Sequence, residues 1–312
     1  MIAAMCANPC VDRTAAVEKF TYGGMNRINE QRDDGSGKGV NVALACRQLN
    51  LESVCLGFMP AEGNAPILNR LRDSLCQTDF ISCQGAVRVN LKLIDKSTGV
   101  ITEINESGPA VNTRQQEQLL EASVRWAVRC GYLVLTGSLP PGCPVRYYRD
   151  VTTAVKQAAP RCRVVLDSEG DRFAEGLKAV PWMVKPNRFE LELFCGRKLD
   201  TIQSIHAEAL RIVDMGVSVV AVSMGGDGAY ITDGREACWA PALSVPVKSA
   251  TGAGDSMVAG LLYGLEAGLP MAEAFRHGMA AAASSVTTEG TGLIDVLRYS
   301  EYLNRIDIRR VI

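Results

Sequence analysis

Short aliphatic runs that are apolar on both faces recur along the chain with amphipathic helical stretches between them. This alternation restricts the fold more than any other feature. The runs are GYLVLTG (131–137), RVVLD (163–167), WMVKP (182–186) and SVVAVS (218–223), bounded by Gly, Pro or Asp. The stretches NTRQQEQLLEASVRWAVRC (112–130) and SIHAEALRIVDMG (204–216) carry apolar residues at helical spacing. Strands apolar on both faces need cover on both, so the pattern predicts an α/β fold, a doubly wound and mostly parallel sheet with helices on both faces. With 312 residues, 47% of them hydrophobic, the chain can build that core as one domain. No repeat, low-complexity segment or linker marks a second, so one domain over 1–312 is expected.

One region departs from this rhythm. VRVNLKLID (87–95) alternates strictly, with Val87, Val89, Leu91 and Leu93 on one face and Arg88, Asn90 and Lys92 on the other. It turns through KSTG into VITEINE, which predicts an antiparallel hairpin with one polar face. A one-sided sheet needs something to cover its apolar side. We expect a small β-sheet lid from the discontinuous segments 8–34 and 86–107, and a homodimer formed through it.

Charge and cysteine usage exclude several classes. Formal net charge is −1, and no Lys/Arg run tracks a nucleic-acid backbone or an anionic membrane. Eleven cysteines without a CxxC, and two distant histidines (His206 and His277), match neither a disulfide framework nor a zinc site. Reduced thiols packed as small hydrophobes are expected. The N-terminus MIAAMCANPC lacks the features of a secretory signal, and no apolar run is long enough to span a bilayer, so the expected location is the cytoplasm.

Two glycine clusters carry the chemistry. GSGKGVN (35–41) is neither a P-loop, since Arg32 stands at the first Gly position and Gly39 follows the Lys, nor a dinucleotide fingerprint, since Val40 replaces the third Gly. It predicts a close-approach turn, with Lys38 as its cation, into a helix beginning near Val40. SATGAGDSMVAGLL (249–262) is apolar nearly all round after Asp255 and Ser256, which predicts a buried helix with a carboxylate in its first turn. Asp255 either complements the helix dipole or accepts a proton from an attacking hydroxyl. In the second case the N–H groups of Gly252, Ala253 and Gly254 form a concavity for a transferring phosphoryl group.

These two clusters resemble the signatures of the PfkB, or ribokinase-like, carbohydrate kinases. NPCVD (8–12), VRVNLKL, TEINESGP (102–109), GSLPPG (137–142), VKPNRFELE (184–192) and VSMGGDGA (222–229) follow in the order of the sugar-phosphate branch, which holds 1-phosphofructokinase and tagatose-6-phosphate kinase. The resemblance implies a ribokinase-like fold, Asp255 as catalytic base, and Gly252, Ala253 and Gly254 as the anion hole. It implies sugar contacts from Asp12, Gly37, Lys38 and Asn41, and a hold on the substrate's own phosphate by Arg88 and Asn90, with Ser138 a further candidate. On the ATP side it implies Lys185, Asn187, Glu190, Ser223, Gly225, Gly226, Gly228 and Thr251. Mg²⁺ would come with ATP, through Asn187 and Glu190, with no direct metal site.

Plainer readings stand beside these. Asp12 could form an Asx-turn, Arg88 a solvated strand residue, Lys185 and Glu190 a surface pair, and SMGGDG a strand-to-strand turn. Ser36 where the family has Gly, Val87 where it has Thr, and MPAEGNAP (59–66) without a Gly-Gly pair depart from the pattern. The implied reaction is ATP-dependent phosphorylation of a ketohexose phosphate, with fructose 1-phosphate favoured over tagatose 6-phosphate by resemblance. The rival classes are a non-catalytic sugar-phosphate or nucleotide sensor and a nicotinamide oxidoreductase. Neither glycine cluster has the fingerprint spacing that the oxidoreductase needs.

Overall fold

The computed structural model describes residues 1–311. In chain order its strands are β1 (Ile2–Cys6), β2 (Cys10–Val17), β3 (Glu30–Ser36), β4 (Ser53–Glu62), β5 (Gln77–Ala86), β6 (Arg88–Asp95) and β7 (Ile101–Asn105). There follow β8 (Tyr132–Thr136), β9 (Arg163–Asp167), β10 (Met183–Val184), β11 (Val219–Ser223), β12 (Ala229–Thr232), β13 (Ala237–Ala240) and β14 (Arg309–Arg310). The helices are α1 (Lys38–Gln48), α2 (Ala65–Asp73), α3 (Thr113–Ala127), α4 (Tyr147–Ala158), α5 (Gly170–Leu177), α6 (Arg188–Cys195), α7 (Ile202–Asp214), α8 (Ala253–Glu266), α9 (Met271–Ser285) and α10 (Val296–Leu303).

Ten strands form the main sheet in the order β14-β13-β12-β11-β10-β9-β8-β1-β4-β5. All pairings from β11 through β5 are parallel, and β12 to β14 add an antiparallel edge. Alternation along β1 shows why helices must lie on both sides: Ile2, Ala4 and Cys6 join one apolar cluster, Ala3 and Met5 the other. The four apolar runs expected as strands are β8, β9, β10 and β11. Beyond SMGGDG as a strand-to-strand turn, the antiparallel edge was not marked in the sequence, because its strands are two to four residues long and β14 joins β13 only after α8, α9 and α10.

The second sheet has four strands in the order β3-β2-β6-β7. It uses residues 10–36 and 88–105, close to the segments expected for a lid, and β6–β7 is the expected antiparallel hairpin. β2 runs parallel to β6, pairing Asp12 with Asn90 and Thr14 with Lys92. Side chains alternate across a strand, so Arg88, Asn90 and Lys92 share a face with Asp12. α1 begins at Lys38, two residues before the expected start, because Gly37 at φ 129 makes the turn immediately before it. Among the described residues no helix is long and apolar enough to cross a membrane, and all eleven cysteines are free thiols, nine of them buried. His206 and His277 lie in α7 and α9, each hydrogen-bonded to a tyrosine hydroxyl.

The parallel strands end together. Asp167 closes β9, Lys185 follows β10 and Ser223 closes β11, so their side chains meet in the crevice beyond the carboxyl edge, where open α/β sheets bind ligands. α8 is set over this edge by unusually close packing on α9. A Cβ added to Gly260 would stand 2.4 Å from the His277 carbonyl oxygen, and one on Gly264 would stand 2.5 Å from Ala274 Cα. Gly260→Ala should therefore destabilise the protein by about 1–3 kcal/mol although alanine is the better helix former. Urea unfolding of the two proteins checks this, and an unchanged or raised midpoint would contradict it.

Candidate active site

At the head of α8 the backbone turns through Gly252 at φ 80, a left-handed conformation that a side chain would strain. The N–H groups of Gly252 and Gly254 have no backbone acceptor among the described residues, whereas Ala253 N–H reaches Ala250 O at 3.4 Å. Gly252 and Gly254 line a cavity of about 560 Å³ and Ala253 does not, so two of the three residues expected for an anion hole border it. Asp255 lines the same cavity while only 5% exposed. Its Oδ2 accepts a 2.9 Å hydrogen bond from Asn41 Nδ2, and Ser36 Oγ in turn reaches Asn41 Oδ1 at 3.4 Å. Burial pushes the Asp255 carboxyl up to about 6, against the pull of Lys38 and with a further push from Asp167. Asp255 is also the acidic residue in the first turn of α8, so it complements the helix dipole in the same position.

Beneath the turn lies a set of charges, buried at Asp167 and Lys185 and half-buried at Lys38. Asp167 Oδ1 is 3.4 Å from both Lys38 Nζ and Lys185 Nζ, and Thr136 Oγ1 donates to Oδ2 at 3.3 Å. Burial alone would raise the Asp167 carboxyl, but Lys185 and Lys38 outweigh it and hold it below its ordinary value. Asp167 in turn raises the Lys38 ammonium, against burial. Lys185 and Glu190 are both buried, which removes the reading of a surface pair.

Asn187 and Glu190 serve first as a helix cap. Asn187 Oδ1 accepts from the Glu190 N–H at 2.8 Å, and Glu190 Oε2 accepts from the Asn187 N–H at 2.7 Å, a reciprocal capping box that starts α6. Glu190 Oε1 remains, 4.0 Å from Lys38. Burial and then Asp167 raise the Glu190 carboxyl.

The small sheet supplies the opposite wall. Asn90 Nδ2 donates to Asp12 Oδ1 at 3.1 Å and Arg88 Nη1 to Asn90 Oδ1 at 2.9 Å. Arg88 also donates to the Asn8 carbonyl at 3.2 Å, and Asn8 Nδ2 reaches Ser138 Oγ at 3.2 Å.

The cavity thus brings together Asp12, Gly37, Lys38, Asn41, Arg88, Asn90, Ser138, Lys185, Asn187, Glu190, Ser223, Thr251, Gly252, Gly254 and Asp255, drawn from all parts of the chain. It does not include Gly225, Gly226 or Gly228. Gly225 and Gly226 lie in a 3₁₀ turn, and a Cβ on Gly228 would fall 1.9 Å from the Ala240 carbonyl oxygen, so Gly228 is needed for packing onto β13. The sequence reading missed Asp167, Lys92, Glu103 and Glu169, which also line the cavity. Asp167 carried a signal: it is a carboxylate at the carboxyl end of a buried strand. The departing segment 59–66 does not border the cavity.

Comparison with known proteins gives the family. The model of the pfkB family carbohydrate kinases matches residues 5–296. The 1-phosphofructokinase of Escherichia coli (strain K12) is 30% identical over 99% of this chain and 98% of its own. That of Bacillus subtilis (strain 168) is 33% identical over 94% of each. The crystal structure of phosphofructokinase-2 from Escherichia coli in complex with potassium superposes with a TM-score of 0.90 at 25% identity, covering 97% of this chain and 98% of that one. The chain belongs to the pfkB family of carbohydrate kinases. Membership makes it a phosphotransferase with an alcohol group as acceptor and ATP as co-substrate.

The buried Asp255 carboxyl has a thermodynamic signature. Asp255 has a raised value in the folded state, so folding favours its protonated form and the ionised form costs stability above about pH 6. Asp255→Asn keeps the Asn41 hydrogen bond without the charge. It should stabilise the protein by about 3 kcal/mol at pH 8, a gain that fades as pH falls through 6 and is absent below the ordinary aspartate range. Thermal melts at pH 8 and pH 4 check this, and a variant less stable at pH 8 would contradict it.

Proposed function

We propose that this protein transfers the γ-phosphoryl group of ATP to the 6-hydroxyl of fructose 1-phosphate, giving fructose 1,6-bisphosphate and ADP. The observation that carries the reading is a buried carboxylate beside two free glycine N–H groups in the wall of a cavity whose opposite wall holds an arginine. The names of the curated relatives supply the substrate.

In this mechanism Asp255 Oδ accepts the hydroxyl proton as the sugar oxygen attacks phosphorus. The new P–O bond forms while the bond from phosphorus to the ADP oxygen breaks, and ADP carries away the electron pair. The Gly252 and Gly254 N–H groups face the phosphoryl oxygens as charge develops there. Asp12 and Asn41 hold sugar hydroxyls, with Gly37 allowing the backbone close approach. Arg88, with Asn90 and Ser138 behind it, holds the phosphate already on the substrate. Lys185, Ser223 and Thr251 lie on the nucleotide side with Glu190, and Asn187 contributes by fixing the start of α6.

Among the described residues no cluster of three His, Cys, Asp or Glu could hold a metal, and both Asp167 oxygens are engaged. Glu190 Oε1 is the available oxygen, which fits Mg²⁺ arriving with ATP and held chiefly by its phosphates and water. There it would offset phosphate charge.

The small sheet acts as a lid on a single domain, excluding water from the sugar. Exposed Ile101 and Ile104 on its edge strand β7, with Tyr22 and Met25 in the β2–β3 connection, support a homodimer through this sheet. Sedimentation should give a dimer that Ile101→Asp with Ile104→Asp turns into monomer; a parent monomer would exclude it. Free thiols throughout support a reducing, cytoplasmic setting.

ADP release with fructose 1-phosphate and tagatose 6-phosphate tests the reaction. Turnover with fructose 1-phosphate is expected; binding of ATP and sugar phosphate without turnover would make the protein a sensor. Asp255→Asn should lower kcat at least ~10²-fold with ATP binding retained. Because the ionised base is required, kcat/KM should fall tenfold per pH unit below about 6, and Asp255→Asn should lack that limb. An acid limb near pH 4 would contradict the assignment.

A further inference from the structure

Lys92 differs from the other cations of the cavity in where it stands. Lys38 and Lys185 both face Asp167, and Arg88, which like Lys92 has no ion-pair partner among the described residues, donates to the Asn8 and Glu106 carbonyls and to Asn90. Among the described residues Lys92 enters no ion pair. Its ammonium donates to Thr251 Oγ1, the residue directly before the anion-binding turn. It lines both the 560 Å³ cavity and an adjoining one of about 670 Å³, and so stands at their junction. Strand register puts it on the inward face, opposite Thr14 of β2 and Glu103 of β7.

We propose that Lys92 is a catalytic residue delivered by the small sheet, its ammonium moving from Thr251 Oγ1 to a non-bridging oxygen of the phosphoryl group in transfer. The proposal rests on the kinase reading above. Arg88 and Lys92 lie four residues apart on one strand face, about 13 Å along the backbone. That spacing suits a ligand with a phosphate at one end and the reacting hydroxyl at the other. Arg88 takes the resident phosphate, and Lys92 meets the incoming one.

Charge in such a transition state spreads over three equatorial oxygens. The Gly252 and Gly254 N–H groups approach them from the main domain, while an ammonium on the sheet approaches from the other side. Among the described residues no carboxylate oxygen, that of cross-strand Glu103 included, lies within ion-pair distance of the Lys92 ammonium, so its charge is available when the sheet closes. Lys92 neither gains nor loses a proton; the hydroxyl proton still goes to Asp255.

The test is steady-state kinetics of the full chain with ATP and fructose 1-phosphate. Lys92→Met should lower kcat by about 10²–10³-fold with both KM values changed less than about threefold. Lys92→Arg should recover most of the loss, and ethylammonium should rescue Lys92→Ala saturably, which a merely structural role would not allow. If Lys92→Met does not fold, the Arg variant and the rescue decide.

A Met variant with more than a third of the parent kcat would overturn the proposal. So would a raised KM for fructose 1-phosphate at unchanged kcat, or absence of rescue in folded Lys92→Ala. Failure of the kinase reading looks different: the parent itself would then release no ADP with fructose 1-phosphate or tagatose 6-phosphate.

Discussion

Keeping the Asp255 carboxylate out of water at the head of an apolar helix is the constraint on which the site depends. An isolated buried carboxylate would simply stay protonated. Asn41 donates to it and Lys38 attracts it, while Lys38 and Lys185 are themselves held by Asp167. Asp167 limits what those lysines can do for Asp255, and its own negative charge pushes the other way. The outcome is a carboxyl near 6 rather than near 4, ionised at neutral pH, which is the range that the proposed role of proton acceptor calls for. Charge that costs folding stability thereby sets base strength.

Much of this was legible in the sequence because it is written in local signals. Continuous apolar runs marked β8, β9, β10 and β11, and strict alternation marked β6 with its inward-facing Arg88, Asn90 and Lys92. What stayed hidden is long-range. Asp167 looks like a strand end until β10 and α1 bring Lys185 and Lys38 to it. Gly228 reads in the sequence as part of a nucleotide loop; what the sequence does not show is that a Cβ there would meet the Ala240 carbonyl, while Gly225 and Gly226 stand in a 3₁₀ turn with open space about them. The antiparallel edge β12 to β14 escaped for a related reason, since strands of two to four residues carry too little periodicity to separate from loops.

The Asn-x-x-Glu stretch shows how one spacing serves two purposes. Three residues is the reach of a reciprocal cap, so Asn187 and Glu190 would fix the start of α6 in any protein. What makes the stretch more than a cap is its place: β10 is only two residues long and delivers Lys185 and the cap together to the carboxyl edge of the sheet. One Glu190 oxygen holds the helix and the other faces the cavity, so the cap also aims a carboxylate. The same backbone geometry that ends the strand points the residue at the ligand.

Register in the small sheet carries the other half of the site. Because strand side chains alternate, a slip of one residue between β2 and β6 would turn Arg88, Asn90 and Lys92 outward and bring Val89, Leu91 and Leu93 against the cavity. The outer face prevents this: Ala15, Val17 and Leu93 pack into their own apolar cluster, which any slip would break. The inner face adds the Asn90–Asp12 bond, which only the observed pairing of Cys10 with Arg88 and Asp12 with Asn90 allows. Apolar packing on the side away from the ligand therefore decides where the charges on the near side stand.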